Sequence, residues 1–154
     1  MNYTGTLLVV KDIERSKQFY QNVLGLEIVK DFGSNVTLTG GIALQTLDAW
    51  YSFINKHAED IVFENNASVL YFEEDEMDSF LEKLQSFSEI SYVNPVIEYA
   101  WKQRIVRFYD PDRHIIEVSE NQKLLIRNML GEGLSPDEIA AKMDIPVDAV
   151  KACL

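Results

Sequence analysis

A single cysteine, Cys153, in 154 residues leaves no partner for an internal disulfide and no CxxC pair for a zinc ribbon or redox centre. Close to the end of the chain, it reads as a small apolar contact of the last helix. Cations are scarce too: 14 Lys and Arg face 25 Asp and Glu, a formal net charge of −11. That balance argues against nucleic acid, whose phosphates demand clustered Lys and Arg, and against an anionic membrane surface. The excess charge is read as a source of solubility. No apolar run approaches membrane-spanning length, and Met1-Asn2-Tyr3-Thr4 lacks the basic and apolar regions of a secretory leader. The expected location is the cytoplasm. What is present, 47% hydrophobic and 25% charged, is a globular composition long enough for one core or two small units sharing one.

The most informative stretch runs from Phe108 to Val118. Asp110-Pro111-Asp112 is turn chemistry: proline fixes φ at the first corner, and each aspartate can accept bonds from nearby backbone amides. The residues that follow are mostly apolar, so the returning strand is expected to be buried, with Glu117 set among apolar neighbours. A carboxylate there is costly to ionise and needs a partner, a metal or a task.

The order of elements repeats. Thr4 to Val10 reads as a strand, and Asp12 as the N-cap of a helix with Ile13, Ser16, Phe19, Tyr20, Val23 and Leu24 on one stripe. Gly25 stands at its C-terminal cap. Strands are expected at Leu26 to Phe32, Asn35 to Thr39 and Ile42 to Leu47, then an irregular connector over 48–66 with one short helix. Ser68 to Phe72 opens a second round. A helix over Met77 to Phe87 turns Met77, Phe80, Leu81, Leu84 and Phe87 inward, and strands follow at Ser91 to Ile97, Arg104 to Tyr109 and Ile115 to Ser119. Pro95 makes the first of these an edge or bulged strand. The acidic run Glu73 to Glu76 is read as charge complementing a helix N-terminus, not as a calcium site.

The tail, 121–154, is helical. One helix carries Leu124 to Asn128, Ser135-Pro136-Asp137-Glu138 is a capping box opening a helix over Pro136 to Met143, and Pro146 opens a last one to Leu154. The arrangement is of helix-turn-helix type, yet four basic residues oppose five acidic ones and the last helix offers only Lys151. A recognition helix needs several donors for phosphates and base edges, so packing on the body, capping of a sheet edge or joining of a dimer is expected instead.

Leu7 to Asp12, with Ser16, Phe19, Tyr20 and Leu24-Gly25-Leu26, and then Asp110-Pro111-Asp112 followed by Glu117, resemble the vicinal oxygen chelate superfamily of glyoxalases, bleomycin- and fosfomycin-resistance proteins and extradiol dioxygenases. The likeness covers residues 1–120. Its implied fold is α+β: two βαβββ modules, 1–47 and 67–120, whose curled mixed sheets enclose a cleft, joined by the connector 48–66 and followed by the helical tail. In that family one residue from each of four strands holds a divalent metal, which chelates two adjacent substrate oxygens as a Lewis acid. Carried over, those positions fall at Gly5, Gln45, Ser68 and Glu117. One carboxylate and one amide do not make a tight site for zinc or nickel, and neither His57 nor His114 replaces what is missing. No metal or other cofactor is expected.

Glu117 reads as a pocket acid or base, or as the partner of Arg104 or Arg107 across the neighbouring strand. Gln45 either faces the cavity with Glu117 or bonds to an edge backbone group. Trp50, Tyr51, Phe53, Trp101 and Tyr109 each read more readily as core, but as a group they suit an aromatic pocket. An arginine such as Arg104 within it would suggest an anionic ligand. The expected ligand-binding set is therefore Gln45, Trp50, Trp101, Arg104, Tyr109 and Glu117, with Glu117 as the catalytic candidate. The expected function is capture of a small organic molecule by a homodimer, with neither nucleic acid nor membrane as partner. The alternatives are a lactoylglutathione-lyase-type isomerase with Glu117 as base or residual metal ligand, and a regulatory scaffold acting through the tail.

Overall fold

The computed structural model describes residues 1–153. Two compact units form: Met1–Ser68 with Tyr109–His114, and Val69–Phe108 with Ile115 to the end of the described chain. Each holds one open four-stranded mixed sheet, in agreement with the α+β class and the repeated βαβββ order.

In the first unit, β1 (Thr6–Val10) leads into α1 (Ile13–Asn22), then β2 (Ile28–Asp31), β3 (Asn35–Leu38) and β4 (Ile42–Thr46), in the sheet order β1-β4-β3-β2. Asp12 caps α1 as expected, its carboxylate accepting the Arg15 amide at 3.0 Å. The helix buries Ser16 and Tyr20, with Val23 just beyond, against the row Leu8, Val10, Val36, Leu38, Ile42 and Leu44. Gly25, at φ +70°, ends it by donating to the Gln21 carbonyl at 3.0 Å. Leu26 and Glu27 do not join β2 as the sequence suggests. Their amides are consumed by the Tyr20 carbonyl and the Thr39 hydroxyl. In the connector, α2 (Leu47–Phe53) starts at once where β4 was expected to continue.

The second unit repeats the plan. β5 (Val69–Glu74), α3 (Met77–Gln85), β6 (Ser91–Glu98), β7 (Arg104–Tyr109) and β8 (Ile115–Glu120) give the order β5-β8-β7-β6. Pro95 lies on the edge strand, where its missing N–H does no harm. Met77, Phe80 and Leu84 of α3 are buried with Val106, Phe108, Ile116 and Val118, and the Phe80 and Phe108 rings lie 6.4 Å apart. Leu81 and Phe87 are only partly buried. The helix stops at Gln85 because the amides of Ser86 and Phe87 turn back to the carbonyls of Lys83 and Leu84. Of the acidic run, Glu73 and Glu74 finish β5, and Glu76 stands at the N-cap of α3 without a side-chain bond there.

The tail comprises α4 (Gln122–Gly131), α5 (Pro136–Met143) and α6 (Val147–Lys151). The Ser135–Glu138 capping box forms, and Asp144, at φ +54°, closes α5 in the left-handed region. The tail has its own core of Ile126, Met129, Ile139, Ala140, Met143, Val150 and Cys153. The last helix, expected to run to Leu154, ends at Lys151, because the amides of Ala152 and Cys153 turn back to the carbonyls of Asp148 and Val150; Leu154 itself lies outside the described residues.

Candidate functional site

The resemblance implies metal-ligand positions at Gly5, Gln45, Ser68 and Glu117. Gly5 passes so close to Gly41 that a Cβ on it would lie 2.1 Å from the Gly41 carbonyl oxygen. No side chain, histidine included, fits there without moving the backbone. Gln45 is 2% exposed, and its amide is spent: Nε2 donates to the Ser34 carbonyl at 2.7 Å and Oε1 accepts from Asn35 Nδ2 at 2.9 Å. The Ser34 contact is the bond to backbone that one of its two sequence readings expected. Ser68 is exposed. Glu117 accepts from Arg107 Nε, and the two side chains are 16% and 26% exposed. These residues do not make a divalent-metal site. Among the described residues no group of three or more His, Cys, Asp or Glu is arranged to hold one.

What surrounds Glu117 is better defined. Strand alternation puts Glu117 and Ser119 of β8, Arg107 of β7, and Val69, Tyr71 and Glu73 of β5 on the face away from α3. Tyr71 is the register partner of Glu117 in the parallel β5–β8 pair. Its hydroxyl shares a hydrogen bond with Ser119 Oγ at 2.8 Å, while its ring remains 54% exposed beside an equally open Val69. Burial pulls the Arg107 pKa down, but the Glu117 and Tyr99 contacts outweigh it and hold the guanidinium above its ordinary value. The result is an apolar and aromatic surface beside a neutralised ion pair and two hydroxyls. It can hydrogen-bond a small molecule from a fixed geometry.

Arg104 is on the α3 side of β7, bonded to Glu120 and Asp78, which together hold its pKa well above normal. Trp101 packs against the tail core. Trp50 sits half-buried on α2 in the first unit. Tyr109 donates to Asn66 Oδ1 at 3.0 Å and is covered by the Arg113 guanidinium, 4.0 Å from its ring centroid. Within the second unit the geometry thus joins Glu117 to Arg107, Tyr71 and Ser119, while Arg104 lies on the opposite face of the sheet and Trp101 packs on the tail core. Tyr71 and Ser119 carry no motif; only the β5–β8 register reveals them.

The Asp110-Pro111-Asp112 turn does what its composition implied and more. Asp110 Oδ1 accepts the amides of Asp112 and His114 at 2.9 and 2.8 Å; Oδ2 takes the Tyr20 hydroxyl at 2.9 Å and pairs with His114 Nδ1 at 2.8 Å. Asp112 accepts the Lys11 amide at 3.2 Å. Burial, then the nearby carboxylates, push the Tyr20 phenol well above its usual pKa. Burial likewise raises Asp112, against the Lys11 bond. This cluster orders the first unit's interior, with Asp110 side chain wholly buried.

The glyoxalase-like domain model matches residues 3–123, and no curated protein matches the chain. A protein of unknown function from Agrobacterium tumefaciens str. C58 is 33% identical, with 79% of this chain and 94% of that one covered at a TM-score of 0.68. A glyoxalase/bleomycin resistance protein/dioxygenase family enzyme from Burkholderia phytofirmans PsJN is 17% identical, covering 76% and 96% at a TM-score of 0.65. A lactoylglutathione lyase from Agrobacterium tumefaciens is 20% identical, covering 79% and 94% at 0.59. The last two likenesses are of fold. With the domain spanning most of its length and a relative at one-third identity, the chain belongs to the glyoxalase-like domain family.

Proposed function

We propose that this family member binds a small organic molecule without the divalent metal its relatives' fold can carry. One observation bears the reading: the only carboxylate at a family ligand position, Glu117, is engaged by Arg107. A guanidinium thus stands beside the group that would otherwise face a metal. The internal pairing cancels the charge, so the ligand is a neutral or weakly polar molecule, held by the Tyr71 ring and Val69 with hydrogen bonds to the pair and to Ser119. The reading includes a homodimer, supported by exposed Tyr92, Val93 and Val96 on the edge strand β6, and a cytoplasmic setting, in keeping with a lone buried thiol.

The same pair favours a second reading. Glu117 could serve as proton-transfer base and Arg107 as the electrophile that stabilises an enolate-like oxygen, giving a metal-independent isomerase or lyase. Elemental analysis of untagged protein, with melting curves in nickel, zinc, manganese and iron, tests both. Both readings expect no stoichiometric metal and no shift. A bound metal lost on Glu117→Ala overturns them. Native mass spectrometry for a co-purifying organic molecule, and its recovery unchanged or converted, then divides binder from enzyme.

A further inference from the structure

On the face of the second sheet turned away from α3, the Tyr71 ring does not stand upright. Tyr71 is the register partner of Glu117 in the parallel β5–β8 pair, yet its hydroxyl shares a hydrogen bond at 2.8 Å with Ser119 Oγ, two residues further along β8. Two residues of strand span about 6–7 Å. The ring therefore leans along the strands and turns one flat side outward, 54% exposed, beside Val69 at 49%. Next to it, Glu117 gives Oε2 to Arg107 Nε. Its Oε1 takes no bond and is not buried, the buried side-chain atoms without a partner among the described residues being Thr46 Oγ1 and Asn94 Oδ1. A guanidinium carries several N–H donors; one is spent on Glu117, and the Arg107 side chain is partly exposed. The pair thus offers an acceptor and spare donors side by side, with no net charge. Glu73 Oε1, 3.4 Å from the Tyr71 hydroxyl, adds a carboxylate at the rim of the ring.

Resting on the binding role proposed above for this face, we infer that its ligand is a neutral planar ring with a lactam edge, an N–H beside a C=O, as in pyridones and pyrimidinones. The ring stacks on Tyr71, its N–H donates to Glu117 Oε1 and its C=O accepts from Arg107. Adjacent donor and acceptor match the pair one to one, and both bonds are charge-assisted from the protein side. Aromatic rings prefer to stack offset, and a tyrosine lying along the sheet leaves a face open for that. An anionic ligand brings a further carboxylate towards Glu73 and Glu117. A cationic one meets the Arg107 charge. A ring whose N–H is blocked leaves Glu117 Oε1 desolvated and unanswered, which costs more than losing an ordinary contact.

Ligand-observed saturation-transfer NMR on the full-length protein, titrated to a Kd, compares uracil, its N,N′-dimethyl derivative, benzoate and N-methylpyridinium. Uracil is expected to bind about tenfold more tightly than the dimethyl derivative, and more tightly than either ion. Tyr71→Leu should weaken uracil by about tenfold as well. In Glu117→Ala the preference for uracil over its dimethyl derivative should vanish. Equal affinity of the two in the parent protein, or preference for either ion, overturns the lactam class. A preference that persists in Glu117→Ala reflects size alone and overturns it too. The comparison of probes uses the parent protein, so it decides even where a variant does not fold. Native mass spectrometry separates the two levels. A protein that refuses every probe but carries another organic molecule loses the lactam class and keeps the binding reading; one that refuses every probe and carries nothing loses both.

Discussion

Tyr20 on α1 donates its hydroxyl proton to Asp110, 90 positions later in the chain, at 2.9 Å. Tyr20 is fully buried and Asp110 is 3% exposed. A charge-assisted bond in such surroundings contributes more than an ordinary one, because neither partner finds water if the other is lost. Tyr20→Phe is therefore expected to cost about 1–3 kcal/mol. Chemical denaturation should show it as a lower midpoint with an unchanged slope.

Asp112 gives the first unit an unusual pH response. Burial raises its pKa from the ordinary 3.8, so within that interval the folded state binds more protons than the unfolded one. Stability on this account falls as pH rises from the usual carboxylate range through the raised value, and stays lower above it. Asp112→Asn keeps an oxygen for the Lys11 amide and removes the titration. Melting temperature against pH should lose that decline, and at neutral pH the variant should match or exceed the parent.

Gly5→Ala and Gly5→His both drive a Cβ onto the Gly41 carbonyl. Each is expected to cost about 1–3 kcal/mol, and Gly5→His should gain no melting shift from nickel or zinc. A histidine variant that folds with parental stability and binds nickel would refute the geometric exclusion.

Removing Arg107 leaves the Glu117 carboxylate, 16% exposed, without its counter-ion. Arg107→Met should cost about 1–3 kcal/mol, below the figure for a fully buried pair because solvent still reaches both groups. Arg107→Met with Glu117→Gln should recover most of the loss. Denaturation of the four species of this cycle gives the coupling directly.

Ser135 closes the capping box of α5 by accepting the Glu138 amide. Ser135→Ala is expected to cost about 1 kcal/mol, and to appear first as faster amide exchange in the tail rather than in either sheet.

The repeat was legible because each level of the chain agrees with the next. Asp12 before the stripe ending at Tyr20 and Val23 fixes a helix, and the segments around Gly33, Gly40 and Gly41 can only be short strands. Glu117 was legible as a costly carboxylate, and Arg107 as one of two possible partners. The choice between Arg104 and Arg107 was not, since both stand on one strand and three residues of separation put them on opposite faces. That assignment depends on which face α3 covers, a tertiary fact. Tyr71 was hidden for a similar reason: its place opposite Glu117 is set by a parallel pairing between strands over forty residues apart. The packing of Trp101 on the tail was hidden because an aromatic near a strand suits a ligand pocket as well as it suits a partner helix, and the tail that takes it in lies more than twenty residues on.

The segment Tyr109–His114 belongs to the first unit although the strands on either side of it belong to the second. On a ribosome, therefore, the first 68 residues emerge without the carboxylate that satisfies the Tyr20 hydroxyl. That unit reaches its final interior only after most of the second has been synthesised. Its maturation is post-dated by the order of the chain, and a fragment ending at Ser68 would carry an unanswered phenol at its centre.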